Sequence, residues 1–491
     1  MLVLAASLAQ GCSPARAKGD GERPIELLVP TDAETLDPRH ATDAVALRAT
    51  RLLHAGLVRL DPGTLEPKPY VARSWRWLDE RRLSVELRDD LRFHSGAPFR
   101  PEDVIATIRA FQSPEVGSRH ARVVDAIGDV VATGEHTVVF ELRRAHATLL
   151  TDLELPVLRA DEAWSPPRPD GTLDGLGPFV LASREAGSLT LAPAKHGALP
   201  SPAHAVTIRT VHDENARALR MHAGRADLVV NGFSPTLLPA LSSAPGLSVS
   251  ARPGANLTYM LARADRGPLL DVRVRQALAR AIDRERIART LLAGRATEAS
   301  TLLPPTHWAH SEADPLPFDP DTARRMLSDA GVLPLHLTLL TSTDRLRGTI
   351  ARQIAQDLAS VGVTLDVVPL ELGTMIARLG AGDFELATLQ MPEVTEPNVL
   401  RVFLHSSSIP PAGANRGRVL DADLDALLDA GAEERDPAAR RAIYASLERL
   451  VRERALLVPL WHEDQVAVAS TRAATFRPSA EGRWLDLATL P

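Results

Sequence analysis

The stretch that decides the fold runs from Leu335 to Gln390 and reads LHLTLLTSTDRLRGTIARQIAQDLASVGVTLDVVPLELGTMIARLGAGDFELATLQ. Leu335 to Leu340, Val363 to Val368 and Phe384 to Gln390 are short apolar runs of strand length. Between them, Arg345 to Ser360 and Leu372 to Leu379 space their apolar residues at the helical interval. Strand, helix, strand, helix, strand in that order predicts a parallel layer with right-handed crossovers.

Outward from this stretch the pattern stays α/β. On its N-terminal side, Asp271 can cap a helix with Val274, Ala277, Leu278, Ala281 and Ile282 on one face and Gly294 as its stop. Arg273, Arg275, Arg280, Arg284 and Arg286 surround that face and are expected in water. Asp319-Pro320 opens a further helix that ends at Gly331. On the C-terminal side, Asp436-Pro437 starts the last long helix, and two strands follow, Ala455 to Leu460 and Gln465 to Ala469. The first half carries more strands: Ile25 to Val29, Leu83 to Leu87, Leu189 to Ala192 and Val206 to Val211. Asp129 to Ala132 pairs with Val138 to Leu142 as a hairpin. Ala44 to Leu57 has helical spacing. Pro166, Pro167, Pro169 and Gly171 mark a loop that Gly175, Gly177 and Pro178 extend.

The chain has 491 residues, a formal net charge of −6 and 45% hydrophobic residues. That length suggests two to four domains with real cores. With 24% charged residues it fits neither a disordered chain nor a multi-span membrane protein. A net negative charge argues against nucleic acid as the main partner. No short repeat is visible. The single cysteine, Cys12, excludes an intrachain disulfide and a cysteine-built metal cluster.

Cys12 follows an apolar run, Met1 to Leu8, that is too short to span a bilayer and reads as the end of an export signal. Ala9-Gln10-Gly11-Cys12 resembles a bacterial lipobox, which implies a lipidated Cys12 at the mature N-terminus. Ser13 to Glu22 then has the composition of a flexible tether. There is no HExxH, GxSxG, GxxxxGK[ST] or GxGxxG, and Gly232-Phe233-Ser234-Pro235 breaks the serine elbow at its last position. His307 and His310 read as a polar loop rather than a metal clip.

Several local stretches, taken in order, resemble the family 5 solute-binding proteins of bacterial ABC importers, whose members bind oligopeptides, dipeptides or nickel. These are Glu34-Thr35-Leu36-Asp37-Pro38, His54-Ala55-Gly56-Leu57, and Leu87-Arg88 through Phe93-His94-Ser95-Gly96 to Glu102-Asp103-Val104. Gly175-Leu176-Gly177-Pro178-Phe179 and Asp271-Val272-Arg273-Val274-Arg275-Gln276-Ala277-Leu278 continue the series. Ser95 stands where the family pattern has an aspartate. The resemblance implies a two-lobed, periplasmic-binding-protein-like (type II) α/β fold with an extra α+β domain inserted in the first lobe. The expected division is 1–23 signal and tether, 24–56, 174–256 and 465–491 first lobe, 57–173 extra domain, and 257–464 second lobe.

The function implied is that of a receptor that closes over a peptide or other small solute and docks on the permease subunits. It would be a monomer held at the membrane by its lipid, in the periplasm or cell envelope. It would need no cofactor and no metal, and would not bind nucleic acid. An exported enzyme or a ligand sensor on the same fold is the alternative. Ligand-binding residues carried over by the resemblance are Thr42, Asp43 and Ala44 in the loop after Leu36-Asp37-Pro38, and Tyr259 before the Asp271 segment. Arg378 is a carboxylate anchor by the same resemblance, and Asn415 and Arg416 form a loop motif, with Trp461 near the end. The stretch Gln390-Met391-Pro392-Glu393 takes the place of a tryptophan-and-aspartate motif that holds a peptide amine. Glu393 is expected to be the amine's partner, with Glu396 as the other choice. Aromatic residues make up only 4% of the chain, which leaves little material for aromatic cleft walls. Peptides are nevertheless the first expectation, with nickel complexes, opines, sugars or another small cation as the others.

Overall fold

The computed structural model describes residues 23–168 and 170–491, so Cys12, the tether up to Glu22 and Pro169 lie outside the described residues. The Leu335–Gln390 stretch folds as its pattern predicts. Strand Leu335–Ser342 pairs in parallel with Val363–Leu370, Leu335 opposite Val363, and with Leu386–Met391, Leu339 opposite Leu386. Helices Arg345–Ala359 and Leu372–Ala381 make the connections. The Asp344 and Glu371 carboxylates cap them by accepting from the Arg347 and Thr374 amides. Gly382, at φ 76°, ends the second helix in the left-handed conformation that glycine adopts at no cost. Both sheet faces are covered. Leu337, Leu339, Ile350 and Ile354 pack on one side, and Leu340, Met375, Leu379 and Ala387 on the other.

Strand Leu257–Ala262 extends this sheet antiparallel to Leu386–Met391, and beside it runs Leu457–Ser470. Here the structure corrects the sequence reading of two strands. The chain stays extended through Trp461 to Asp464 because partners on both sides take up its backbone groups. Its first half pairs with Leu257–Ala262, and its second half with Leu247–Pro253 and Leu228–Val230. One strand of 14 residues thus belongs to two sheets. In the second sheet Leu228–Val230 is followed in space by Ile25–Val29, Val206–Thr210, Ser188–Pro193 and Phe179–Glu185. Ile25 lies opposite Val206 in parallel.

A separate four-stranded antiparallel sheet is built from Ala72–Trp77, Arg82–Leu87, Thr137–Leu142 and Ile127–Gly134. The expected hairpin forms, with Ala132 opposite Val138. Helix Pro101–Gln112 lies over it, and Phe93, Phe111 and Phe140 fill the core between.

Two further expectations are corrected. The helix begun at Asp271 is two helices, Val272–Arg280 and Arg284–Thr290, because the Asp283 carboxylate caps the second by accepting from the Arg286 amide. Arg275 and Arg284 are not in water. Arg275 donates to the Leu269, Leu270, Arg454 and Ala455 carbonyls, and Arg284 to the Ala279 carbonyl and Glu298. Buried arginines with that many acceptors act as rivets between backbone segments.

Candidate functional site

A cavity of about 1110 Å³ lies where the two sheets share the Leu457–Ser470 strand. Its walls include Pro30, His212, Asn231, Asp344 and Pro392, each just past the carboxyl end of a strand. Ligands in open α/β sheets bind at such ends, where the loops are free to vary and backbone amides point outward. The volume lies just above the range of about 300–1,000 Å³ usual for small-molecule sites.

Two asparagines fix its floor. Asn256 donates to the Glu463 carbonyl at 2.7 Å and accepts from the Glu463 amide at 2.8 Å. Asn231, at φ 52°, accepts from the Val466 amide at 2.8 Å, and its own amide donates to the Val466 carbonyl at 2.8 Å. The long strand is therefore pinned at Glu463 and again at Val466, on either side of the point where the two sheets meet. Glu463 is held by Arg347, whose second contact is 2.9 Å, and accepts from Thr258 Oγ1 and Trp461 Nε1. Burial works to raise the Glu463 pKa, but the Arg347 charge and these hydrogen bonds hold it below its usual range. On the opposite wall Arg217 donates to the Val211, His212 and Gly232 carbonyls, and Glu214 accepts from the Ser234 amide. Those bonds shape the Asn231–Thr236 loop that presents Phe233 to the cavity.

The residues expected from the sequence are divided by the structure. Gln390 lines the cavity and donates to Thr258 Oγ1 at 3.2 Å. Glu393, half-buried, follows the lining residue Pro392, and its charge reaches Arg48 and Glu481 of the facing lobe. Glu396 is turned away. It is bound to the buried Arg440 and accepts from Thr151 Oγ1. Burial pushes its pKa up even against the Arg440 charge.

The others are not in the cavity wall. Asp43 caps helix Ala44–Leu53, accepting from the Val45 and Ala46 amides, while Thr42 and Ala44 flank it exposed. Met391, Tyr259 and Trp461 are at most 2% exposed, because their strands have packed layers on both faces. Asn415 is fully buried and ties the Leu404–Val419 loop together through the Leu404, His405 and Val419 carbonyls. Arg416 is half-buried near Tyr259. Arg378 pairs with Asp383 at 3.0 Å, before the start of strand Leu386–Met391 and so at the end opposite the cavity. The sequence reading missed Arg48, Asn231, Phe233, Asn256, Arg347 and Glu463. Extending the strand-end rule from Leu386–Met391 to Ile25–Val29 and Val206–Val211 would have pointed to Pro30 and His212.

Comparison with known proteins agrees with this architecture. The family described as bacterial extracellular solute-binding proteins, family 5 Middle, matches residues 66–408. The chain is similar to a dipeptide-binding protein of Pseudomonas aeruginosa, 26% identical over 468 residues that cover 87% of each chain. It is also 24% identical over 467 residues to the heme-binding protein A of Haemophilus influenzae, covering 87% of this chain and 84% of that one. Its fold matches the crystal structure of NikA from Brucella suis in complex with Fe(III)-EDTA, with a TM-score of 0.84 at 22% identity, over 94% of this chain and 98% of that one. With the two-lobed architecture and a match that spans more than half its length, the chain belongs to family 5 of the bacterial extracellular solute-binding proteins.

Proposed function

We propose that this protein is the receptor of an ABC importer and binds a peptide, or a related small solute, in the cavity between its lobes. The observation that carries the reading is the cavity itself, lined from both sheets at their strand ends. A solute there touches both lobes only when they are together, and that differential contact favours the closed form the permease receives. The dipeptide-binding relative supports a peptide, and the heme-binding one shows how widely ligands vary at this level of identity. Glu393 receives the ligand ammonium. Phe233 is the aromatic residue in the wall, so side-chain selection rests mainly on polar groups.

The same reading includes a lipidated Cys12 that tethers a periplasmic or cell-envelope monomer. Lobe borders fall near residues 56/57, 173/174, 256/257 and 464/465. Native mass spectrometry of protein purified from its own host tests the ligand class. A released solute with the mass of a short peptide is expected, and a sugar or a metal chelate in its place would overturn the peptide reading.

A further inference from the structure

Five arginines line the cavity, and of these Arg48 alone has a buried side-chain nitrogen without an acceptor. Arg217 and Arg347 have their donors taken up by carbonyls and by Glu463. Arg48 lines the same cavity, yet its buried Nε has no acceptor, and among the described residues its guanidinium makes no hydrogen bond or ion pair. The group is nevertheless positioned. It lies over the buried Trp484 indole, Cζ 5.8 Å from the ring centroid. It also rests against Gly482, where an added Cβ would come within 3.2 Å of its terminal nitrogen. Gly482 has φ 74°, so the backbone there favours the residue that leaves room.

A guanidinium placed over a ring by its Cζ still has its N–H fork free for one partner. Leaving it partly desolvated and unpaired costs free energy that a bound anion recovers. The surroundings favour an anion. Arg51 and Arg483 share Glu154, whose carboxylate lies 3.6 Å from Arg51. The remaining carboxylates facing Arg48 are Glu393, across the cavity, and Glu481. Burial and the Glu393 charge push Glu481 up to about 7, so near neutrality it is only partly charged. Arg483 is committed to Glu154 and, at 3.6 Å, to Glu481, which leaves Arg48 without a carboxylate of its own.

We propose that Arg48 is the anchor for a carboxylate of the bound solute, held by paired N–H···O bonds from the guanidinium at the cavity wall. The ligand carboxylate takes the free fork of Arg48 from the first lobe while Glu393 approaches from the second, so one solute with both charges ties the lobes together. This deepens the reading of the cavity as the solute site and rests on it.

The test uses the full chain labelled with ¹⁵N-arginine, in which the Arg48 Nε signal is identified by its loss in Arg48→Gln. Sodium propionate and propionamide serve as fragment probes, and trialanine and trialaninamide as peptide probes. The Arg48 signal is expected to shift with propionate and trialanine and to stay with the two amides. Calorimetry is expected to show trialanine binding weakened at least about tenfold in Arg48→Gln and partly restored in Arg48→Lys, with unchanged unfolding midpoints. If propionate shifts the signal and neither peptide binds, the anchor stands and the peptide reading falls. If trialanine and trialaninamide bind equally and Arg48→Gln changes neither, the cavity stands and the anchor falls. An Arg48 signal that moves with no carboxylate overturns the proposal outright.

Discussion

Arg435 lies over the indole of Trp77, its Cζ 4.8 Å from the ring centroid, and donates to the Asp79 carbonyl at 2.7 Å. The turn after helix Ala422–Glu433 thereby touches the four-stranded sheet, and the Ala147 amide donates to the Ala432 carbonyl next to it at 2.9 Å. Thr151 and Glu396 add a third contact. Swinging the cleft open about the long strand must break this seam. A cation over a half-buried ring such as Trp77 contributes about 0.5–1 kcal/mol. Arg435→Ala is therefore expected to weaken solute binding about two- to fivefold, seen as faster dissociation in stopped-flow fluorescence, with the cavity residues unaltered.

Glu393 and Glu396 give opposite outcomes although three residues apart. Glu393→Gln should weaken binding of an amine-bearing solute about tenfold or more, as loss of a charge-assisted hydrogen bond does. It should leave thermal unfolding unchanged. Glu396→Gln leaves the buried Arg440 without its carboxylate, and breaking such a pair costs about 3–5 kcal/mol. A lowered unfolding midpoint with intact affinity is the expected result for that variant.

The Glu481 carboxyl, pushed up to about 7 mainly by burial, makes stability depend on pH. Between its ordinary value of 4.5 and about 7 the folded chain holds a proton that the unfolded chain has released. Stability therefore falls as pH rises through that window and levels off above it. Glu481→Gln removes this contribution and is expected to gain up to about 3 kcal/mol over wild type at pH 8 and little at pH 4. Glu448, also pushed up to about 7 by burial, adds a similar slope that this variant leaves in place. Urea unfolding at the two pH values reads the difference.

Gly175 and Gly380 look alike in sequence and differ in surroundings. A Cβ on Gly175 would run into the Leu53 carbonyl oxygen and within 3.0 Å of the His94 ring. Gly175→Ala should cost about 1–3 kcal/mol or more. Gly380 lies in helix Leu372–Ala381 with open space around it, and Gly380→Ala should stabilise by about 0.4–1 kcal/mol. Thermal unfolding of the two variants is the measurement.

The sequence by itself determined the layers. Alternating apolar runs and capped helices between Leu335 and Gln390 specify a parallel sheet, because each period admits one kind of element and each cap one starting point. The caps at Asp43, Asp271, Asp319 and Asp436 are local, and each side chain accepts from its own helix's first-turn amides. The ordered motifs from Glu34 to Asp271 likewise pointed to the solute-binding family, and Gln390 and Glu393 to the edge of the cavity. Tertiary structure decided what no local window holds. The Leu457–Ser470 strand is continuous only because partners some 200 residues away, Asn231, Asn256 and Thr258, satisfy its backbone on both sides. Arg275 left the water because the Arg454 and Ala455 carbonyls converged on it, and Arg284 because Glu298 and the Leu316 carbonyl did. The cavity wall was decided in the same way. Residues past several strand ends meet there with Arg48 of helix Ala44–Leu53 and Glu463 from the middle of the long strand, while Tyr259, Asn415 and Trp461 are buried in the packed layers.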